Sequence, residues 1–585
     1  MKSFAAYLDL AIQAARAAGD LLRADFHRPL GPRGEHDKAP ADTEAEQVIR
    51  GILLGGEGDW GFLGEETGRV PGAPGAPVWV IDPNDGTRDY IRGRRGSSVS
   101  IALVWERRPV LGVVHAFGYP DDHGVVYAAV QGLEGVFKNG APVAATLPEK
   151  LSETDVVLVS GGGDRAARAN LQCTKPARVM SIPSIAHRLA KVAAGEAAAT
   201  TSLYSPRSWD FAAGHCLILA AGGALVDQNG ADPVYDDEAN GTAPRLFAGS
   251  RPVALELSTR DWDLAFRSER ETTMPIVRLA KGAGVKDPGL LSRAHGAFLG
   301  HLVGSSLGSV HRTAINHHHS AGQIGSSGEI AIACARSILD LGSDNKSLRA
   351  AYKAWANSSP FEPDRILDAF AAQKPLADSL SATAFSRLTP LALWGHEADT
   401  SLLITKIRAD TGLTHPAPIA GDAASALAIV LQALLQGMGP SPAIETAHRF
   451  ARRSGFGPEV IDAVAESANP VRTMRKAVDV PDVVAAFRAT LFHLAKTTSF
   501  EDAIRQAVEF SPASDALPAL VGAFMGARLG REGIPERLRA NVLSCRPMEG
   551  LSRSARPATY WATDAMTIAE ALLTCLLYTS PSPRD

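Results

Sequence analysis

Cysteine is scarce in this 585-residue chain, and the five that occur (Cys173, Cys216, Cys334, Cys545 and Cys575) stand far apart with no CxxC pair. That spacing excludes a disulfide framework, offers no zinc signature, and fits a reducing, cytoplasmic setting. A charge excess is missing too. Lys and Arg number 59 against 63 Asp and Glu, a net charge of -4, so no polyanion-binding surface and no nucleic-acid partner is expected. No run approaches the roughly twenty apolar residues of a membrane span, and no membrane partner is expected. The opening segment, MKSFAAYLDLAIQAARAAGDLLRADF, places Leu8, Ile12, Ala15 and Leu22 near helical spacing. Asp9, Arg16 and Asp20 interrupt it, so it reads as an amphipathic helix and not as a signal peptide.

What the chain does have is enough apolar residue for real cores, 45% hydrophobic against 21% charged, at a length that predicts at least two domains. Up to about residue 255 helical stretches alternate with β-rich runs: VWVID at 78–82, SVSIALVW at 98–105 and VLGVVHAF at 110–117. That is a mixed α/β pattern. From about residue 275 the texture becomes Ala- and Leu-rich and helical, as in EIAIACARSILDLG and DAASALAIVLQALLQG. The expected organisation is an α/β domain at 1–257, a polar linker at 258–278, an all-α domain at 279–573 and an unpatterned tail at 574–585. His317, His318 and His319 cannot all face one ion on a helix or strand, so a polar loop is expected there.

The segment WVIDPNDGTRDY follows a β-rich run with Asp82 and Asp85, then Gly86 and Thr87. A tight turn there would aim both carboxylates at one point and leave backbone N–H groups free for an anion. An ordinary surface turn uses the same residue types. Upstream, FLGEETG carries Glu65 and Glu66; downstream, SPRSWDFAAGHCLILAAGG puts Asp210 at the start of an apolar helix, where capping alone would explain it.

Taken in order, GEE, then DPxDGT, then WDxAAG with a following AGG resemble the signature of the inositol monophosphatase superfamily. KAPADTEAEQVI at 38–49 and SIPSIAHRLAKVAAGEA at 181–197 extend the likeness. The resemblance implies a layered α/β/α/β sandwich and a magnesium-dependent phosphomonoesterase. It further implies Glu65, Asp82, Asp85, Asp210 and the Asn84 carbonyl as ligands of two or three Mg²⁺ ions, a set of hard oxygen donors that suits this ion. Glu65, Thr87 and Asp85 are the implied catalytic residues, Gly86 and Thr87 the implied phosphate-binding backbone, and Asp42 the outer acidic position. Inositol-preferring members carry an acid where this chain has Leu203. The SPRSWDFAAGH segment looks closer to the branch acting on adenosine 3',5'-bisphosphate, with Arg207 either a partner for a second phosphate or a plain surface arginine. A small phosphate ester is the expected substrate.

The run RAHGAFLGHLVGSSLGSV at 293–310 resembles the opening of the ADP-ribosylglycohydrolases, and LTPLALWG and AFMGARLGREGIPERL echo the same family. Places where that family holds a Thr-Asp-Asp triplet and an Asp-x-Asp pair for two Mg²⁺ are here Gly325, Ser326 and Ser327, then Ala513 and Asp515. One carboxylate cannot balance a binuclear site, so no working glycohydrolase is expected. The readings for this half are a structural or homodimerising helical domain, or an ADP-ribose or nucleotide pocket without chemistry, with residual ADP-ribosylglycohydrolase activity as a third alternative.

Overall fold

The computed structural model describes residues 4–55, 59–267, 277, 279–313, 320–360, 369–372, 379–468, 481–552 and 554–579. The three consecutive histidines at 317–319 lie outside them. The chain divides into two compact units, Met1–Met274 with Arg278–Lys286, and Pro275–Val277 with Asp287–Asp585.

In the first unit, α1 (Leu8–Phe26) is amphipathic as its spacing predicts, and α2 (Pro40–Leu54) is amphipathic too. α1 buries Ala11, Ala14, Ala15, Ala18 and Leu22, and α2 buries Ala41, Ala45, Ile49 and Leu53. Both lie against a sheet of β1 (Gly61–Gly64), β2 (Gly68–Val70), β3 (Val78–Asp85), β4 (Ser98–Trp105), β5 (Arg108–Ala116), β6 (Val125–Val130), β7 (Val136–Lys138) and β8 (Ala141–Val143). The strand order is β2-β1-β3-β4-β5-β6-β7-β8, and only β1 and β3 run parallel. A short helix, α3 (Thr87–Ile91), leaves the end of β3.

A second sheet contains β9 (Val156–Val159), β10 (Arg178–Ser181), β11 (Ala199–Ser202), β12 (Ala224–Asp227) and β13 (Leu246–Gly249), in the order β10-β9-β11-β13-β12. Between the chain segments of these strands come α4 (Ala167–Thr174), α5 (Ile185–Ala193) and α6 (Ser208–Ala220), and α7 (Arg251–Ser258) and the short α8 (Leu264–Arg267) follow them. α5 and α6 pack on each other and bridge the two sheets. Gly112 of β5 lets α6 come close: a Cβ there would stand 2.4 Å from the Ala213 carbonyl oxygen. On the far face of the second sheet, Val157, Ala199, Val226 and Phe247 pack with Val253, Ala254 and Leu257 of α7. The layers are therefore helix, sheet, helix, sheet, helix.

Three local expectations need correction. Asp82 to Asp85 is not a turn beyond the strand; β3 continues through it, with a register shift against Ser98–Ser100. Pro83 has no N–H to give the ladder, so the strand bulges there instead of ending. Second, the stretch from 258 to 267, expected in a linker, is packed. Trp262 is fully buried against Phe247 with ring centroids 5.7 Å apart, and its Nε1 donates to the Leu257 carbonyl at 2.7 Å. Third, the last helix runs Ala565–Thr579, into the expected tail, because no proline interrupts it before Pro581.

The described residues of the second unit are helical, with a few 3₁₀ turns and no sheet. Its centre is α9 (Pro288–Thr313) against the helix Ala516–Leu529. Among the described residues one helix, Pro418–Leu435, is long and apolar enough to cross a membrane, and most of it is buried inside this unit. The neighbouring α10 (Ser326–Leu341) is buried along its first three turns.

Candidate active site

Two elements bring the three acids together. The bulge in β3 turns Asp82 and Asp85 to the same side, and the first turn of α6 supplies Asp210. One carboxylate oxygen from each lies within 4.8 Å of the others. Asp210 does cap its helix, as its position predicted: its Oδ2 accepts from the Arg207 N–H at 2.5 Å. The cap and the cluster are the same side chain.

Asp85 is held from below. Its Oδ2 accepts from Ser184 Oγ at 2.6 Å and from the Ala186 N–H at 2.7 Å, and Ser98 Oγ stands 2.8 Å from Ser184 Oγ. Ser184 is at the same time the N-cap of α5, accepting from His187 N–H at 2.9 Å. Asp82 Oδ1 accepts from the Asn84 N–H at 2.8 Å. Asp42, from α2, accepts from Asn84 Nδ2 at 2.8 Å and from Thr87 Oγ1 at 3.0 Å. Thr87 Oγ1 also lies 2.9 Å from the Asn84 carbonyl oxygen, and Asn84 Oδ1 is buried with no partner.

Glu65 follows β1, its N–H donating to the Ile81 carbonyl at 3.1 Å; the residue as a whole is exposed, while its carboxyl end lies among the acids beside Asp82. It stands beside the tight trio rather than within it. Gly86 has φ 103°, and a Cβ there would meet Ser97 Oγ at 3.3 Å and Pro183 Cβ at 3.4 Å. Both facts favour glycine at this position. Arg207 is exposed, with its guanidinium carbon 5.9 Å from the Trp209 ring centroid and its charge lowering the pKa of Asp210. Leu203 is packed against the second core.

The electrostatics are those of a site built for cations. Burial, then repulsion from Glu65, Asp85 and Asp210, pushes Asp82 well above the ordinary carboxylate range. Burial and then Asp85 do the same to Asp210. Burial raises Asp85 as well, opposed by the Ser184 and Ala186 donors and by Arg188. Glu65 and Asp42 are each pushed up to about 7, chiefly by desolvation. Such a group of acids is costly unless a cation or protons neutralise it. Its donors are all oxygen, so the residues present fit a hard divalent ion. Ser184, Ala186 and Arg188 fall in the 181–197 segment that extends the family likeness, and nothing in the sequence ties them to Asp85.

In the second unit, Asp515 is saturated. Its Oδ2 accepts from Ser305 Oγ at 2.7 Å and Ser327 N–H at 2.9 Å, and its Oδ1 from Ser326 Oγ at 3.2 Å and Ser327 Oγ at 3.0 Å. Four donors occupy the four acceptor positions a carboxylate offers. Ser386 Oγ donates onward to Ser327 Oγ at 3.1 Å. These neutral hydroxyls do not fit a binuclear metal site.

Comparison with known proteins agrees with both halves. Residues 5–262 match the family described as "Inositol monophosphatase family", and residues 286–566 match "ADP-ribosylglycohydrolase". An "Inositol-1-monophosphatase" of Mesorhizobium japonicum is 31% identical over 245 residues, 40% of this chain and 89% of that protein. A "Histidinol-phosphatase" of Chlorobaculum parvum is 31% identical over 268 residues, 43% of this chain and 98% of that protein. Among solved structures, the extragenic suppressor protein suhB of Bartonella henselae aligns at 26% identity and a TM-score of 0.36, covering 43% of this chain and 98% of that one.

Proposed function

Because the chain belongs, through residues 5–262, to the inositol monophosphatase family and is a metal-dependent phosphatase, we propose that it hydrolyses a small phosphate monoester with two or three Mg²⁺ ions. The observation that carries this reading is the convergence of Asp82, Asp85 and Asp210 to within 4.8 Å. Glu65, Asp82, Asp85, Asp210 and the Asn84 carbonyl are the residues to hold the metal. When bound, Mg²⁺ supplies positive charge for the phosphate and the leaving oxygen and makes a bound water more acidic.

The chain's own residues do the rest. Thr87 Oγ1, between Asp42 and the Asn84 carbonyl, can accept a proton from the attacking water while giving its own to Asp42 Oδ2. Glu65 orients that water from the other side. The N–H groups of Gly86 and Thr87, in the first turn of α3, have no acceptor within the helix and are free for phosphate oxygens. Leu203, packed against the second core, offers no carboxylate for a sugar hydroxyl, which supports a nucleotide 3'-phosphate such as adenosine 3',5'-bisphosphate over inositol monophosphate, with Arg207 on the second phosphate. A panel of phosphate esters assayed with and without Mg²⁺ tests the reading. Turnover of none of them, or full activity in Asp82→Asn, would overturn it.

For the helical half the hydroxyl network on Asp515 supports a domain without glycohydrolase chemistry, either structural and homodimerising or retaining ADP-ribose or nucleotide binding. Calorimetry of the whole chain with ADP-ribose separates these two. Release of ADP-ribose from a modified protein by Asp82→Asn, in which the phosphatase is silenced, would contradict both.

A further inference from the structure

Helix α2 carries a second acid on the face that holds Asp42. Glu46, one turn further on, is completely buried, and its carboxylate serves one short stretch of chain. Oε2 accepts from the Glu66 N–H at 2.9 Å; Oε1 accepts from the Thr67 N–H at 2.7 Å and from Thr67 Oγ1 at 2.5 Å. Gly64 lies flat against the same carboxylate, because a Cβ on it would stand 2.2 Å from Glu46 Oε1 and 2.3 Å from Cδ. Glu65 is thus bracketed: the residue before it touches Glu46 and the two after it donate to Glu46. Four residues earlier on the same face, Asp42 binds Asn84 Nδ2 and Thr87 Oγ1. A single helix face grips both loops of the site.

We infer that Glu46 is a positioning residue for the phosphatase, setting the place of Glu65 relative to Asp82, Asp85 and Thr87 through the backbone of residues 64–67. This rests on the phosphatase reading above. A carboxylate buried for packing alone would be an expensive choice. Three convergent donors from one loop give it a defined task, since a carboxylate oxygen can only accept and so holds every one of them.

The test is a double-mutant cycle on the full chain, with Glu46→Gln made alone, Glu65→Gln made alone, and the two combined. Glu46→Gln keeps the size but turns an amide N–H₂ toward a backbone N–H or the Thr67 hydroxyl. We expect kcat to fall on the order of tenfold in the otherwise unaltered protein and less than about twofold in Glu65→Gln. Mg²⁺ affinity, titrated by calorimetry without substrate, should weaken by a similar pattern. An equal fold-loss in both backgrounds would show a merely structural role and overturn the inference, as would no loss at all. If Glu46→Gln does not fold, Thr67→Val removes only the hydroxyl donor, and its loss of kcat should likewise vanish in Glu65→Gln; retention of full kcat would be equally fatal. Failure of the phosphatase reading itself looks different: the unaltered protein would then show no Mg²⁺-dependent turnover.

Discussion

Gly300 of α9 and Gly522 of the helix Ala516–Leu529 meet backbone to backbone. A Cβ on Gly300 would stand 2.1 Å from the Gly522 carbonyl oxygen, and one on Gly522 would stand 2.0 Å from the Gly300 carbonyl oxygen. Gly296 with Gly526 repeats the contact one turn away, at 2.1 Å and 1.9 Å. Since the obstacle is backbone on both sides, no rotamer change can relieve it. Gly300→Ala should destabilise the helical unit by about 3 kcal/mol or more, seen as a lower melting transition in calorimetry. An unchanged melting profile would contradict the close packing.

The acidic trio makes a prediction that separates activity from stability. Without metal, Asp82, Asp85 and Asp210 repel one another in a buried site. Asp82→Asn should lower phosphatase turnover on the order of a thousandfold yet raise the melting temperature in metal-free buffer. Mg²⁺ should stabilise the unaltered protein by about 2.7 kcal/mol at a hundred times its dissociation constant, and the variant by much less. Thermal scans with and without Mg²⁺ decide this, and a variant that melts earlier without metal would count against the repulsion.

Ser184 joins a helix end to an acid of the cluster. Its Oγ accepts from His187 N–H and donates to Asp85 Oδ2. Ser184→Ala should cost about 1–2 kcal/mol in urea unfolding and reduce turnover as well, while Ser184→Thr should restore most of both. Loss of stability with turnover untouched would mean that only the cap matters.

Buried neutral histidines add an acid-labile contribution to the stability of the first unit, opposite in sign to that of its raised carboxyl groups. Burial lowers the pKa of His115 to about 4 although its Nδ1 donates to the Ala15 carbonyl, and burial likewise takes His215 to about 4. The unfolded chain, with ordinary values near 6.5, binds more protons below that pH. The neutral-state stability is therefore complete above about 6.5 and is lost as pH falls toward 4, by up to about 1.4 kcal/mol per pH unit for each histidine. His115→Gln should flatten this slope in urea titrations at pH 7, 6 and 5, and an identical slope would refute the assignment.

Much of the architecture was legible because its signals are local. Strand-length runs such as SVSIALVW and the spacing of Leu8, Ile12, Ala15 and Leu22 depend on residues a few positions apart. The acids Glu65, Asp82, Asp85 and Asp210 were legible as a pattern of types in order. Less was legible at the edges of the units, where Trp262 draws a polar-looking stretch into a core by the burial of one side chain.

By itself, then, the sequence determined the two textures of this chain, the acidic residues of its first half and the missing acids of its second. Only the tertiary structure decided how those acids are placed and held. The bulge at Pro83 turns Asp82 and Asp85 the same way, and Ser184, 99 residues from Asp85, supplies its support. Asp515, alone as a carboxylate in its motif, is tied by serines about 190 and 210 residues away, which supply its hydrogen-bond donors. Such contacts leave no local period. Chain entropy makes them costly to form, and only the complete packing of the fold brings their partners within hydrogen-bonding distance.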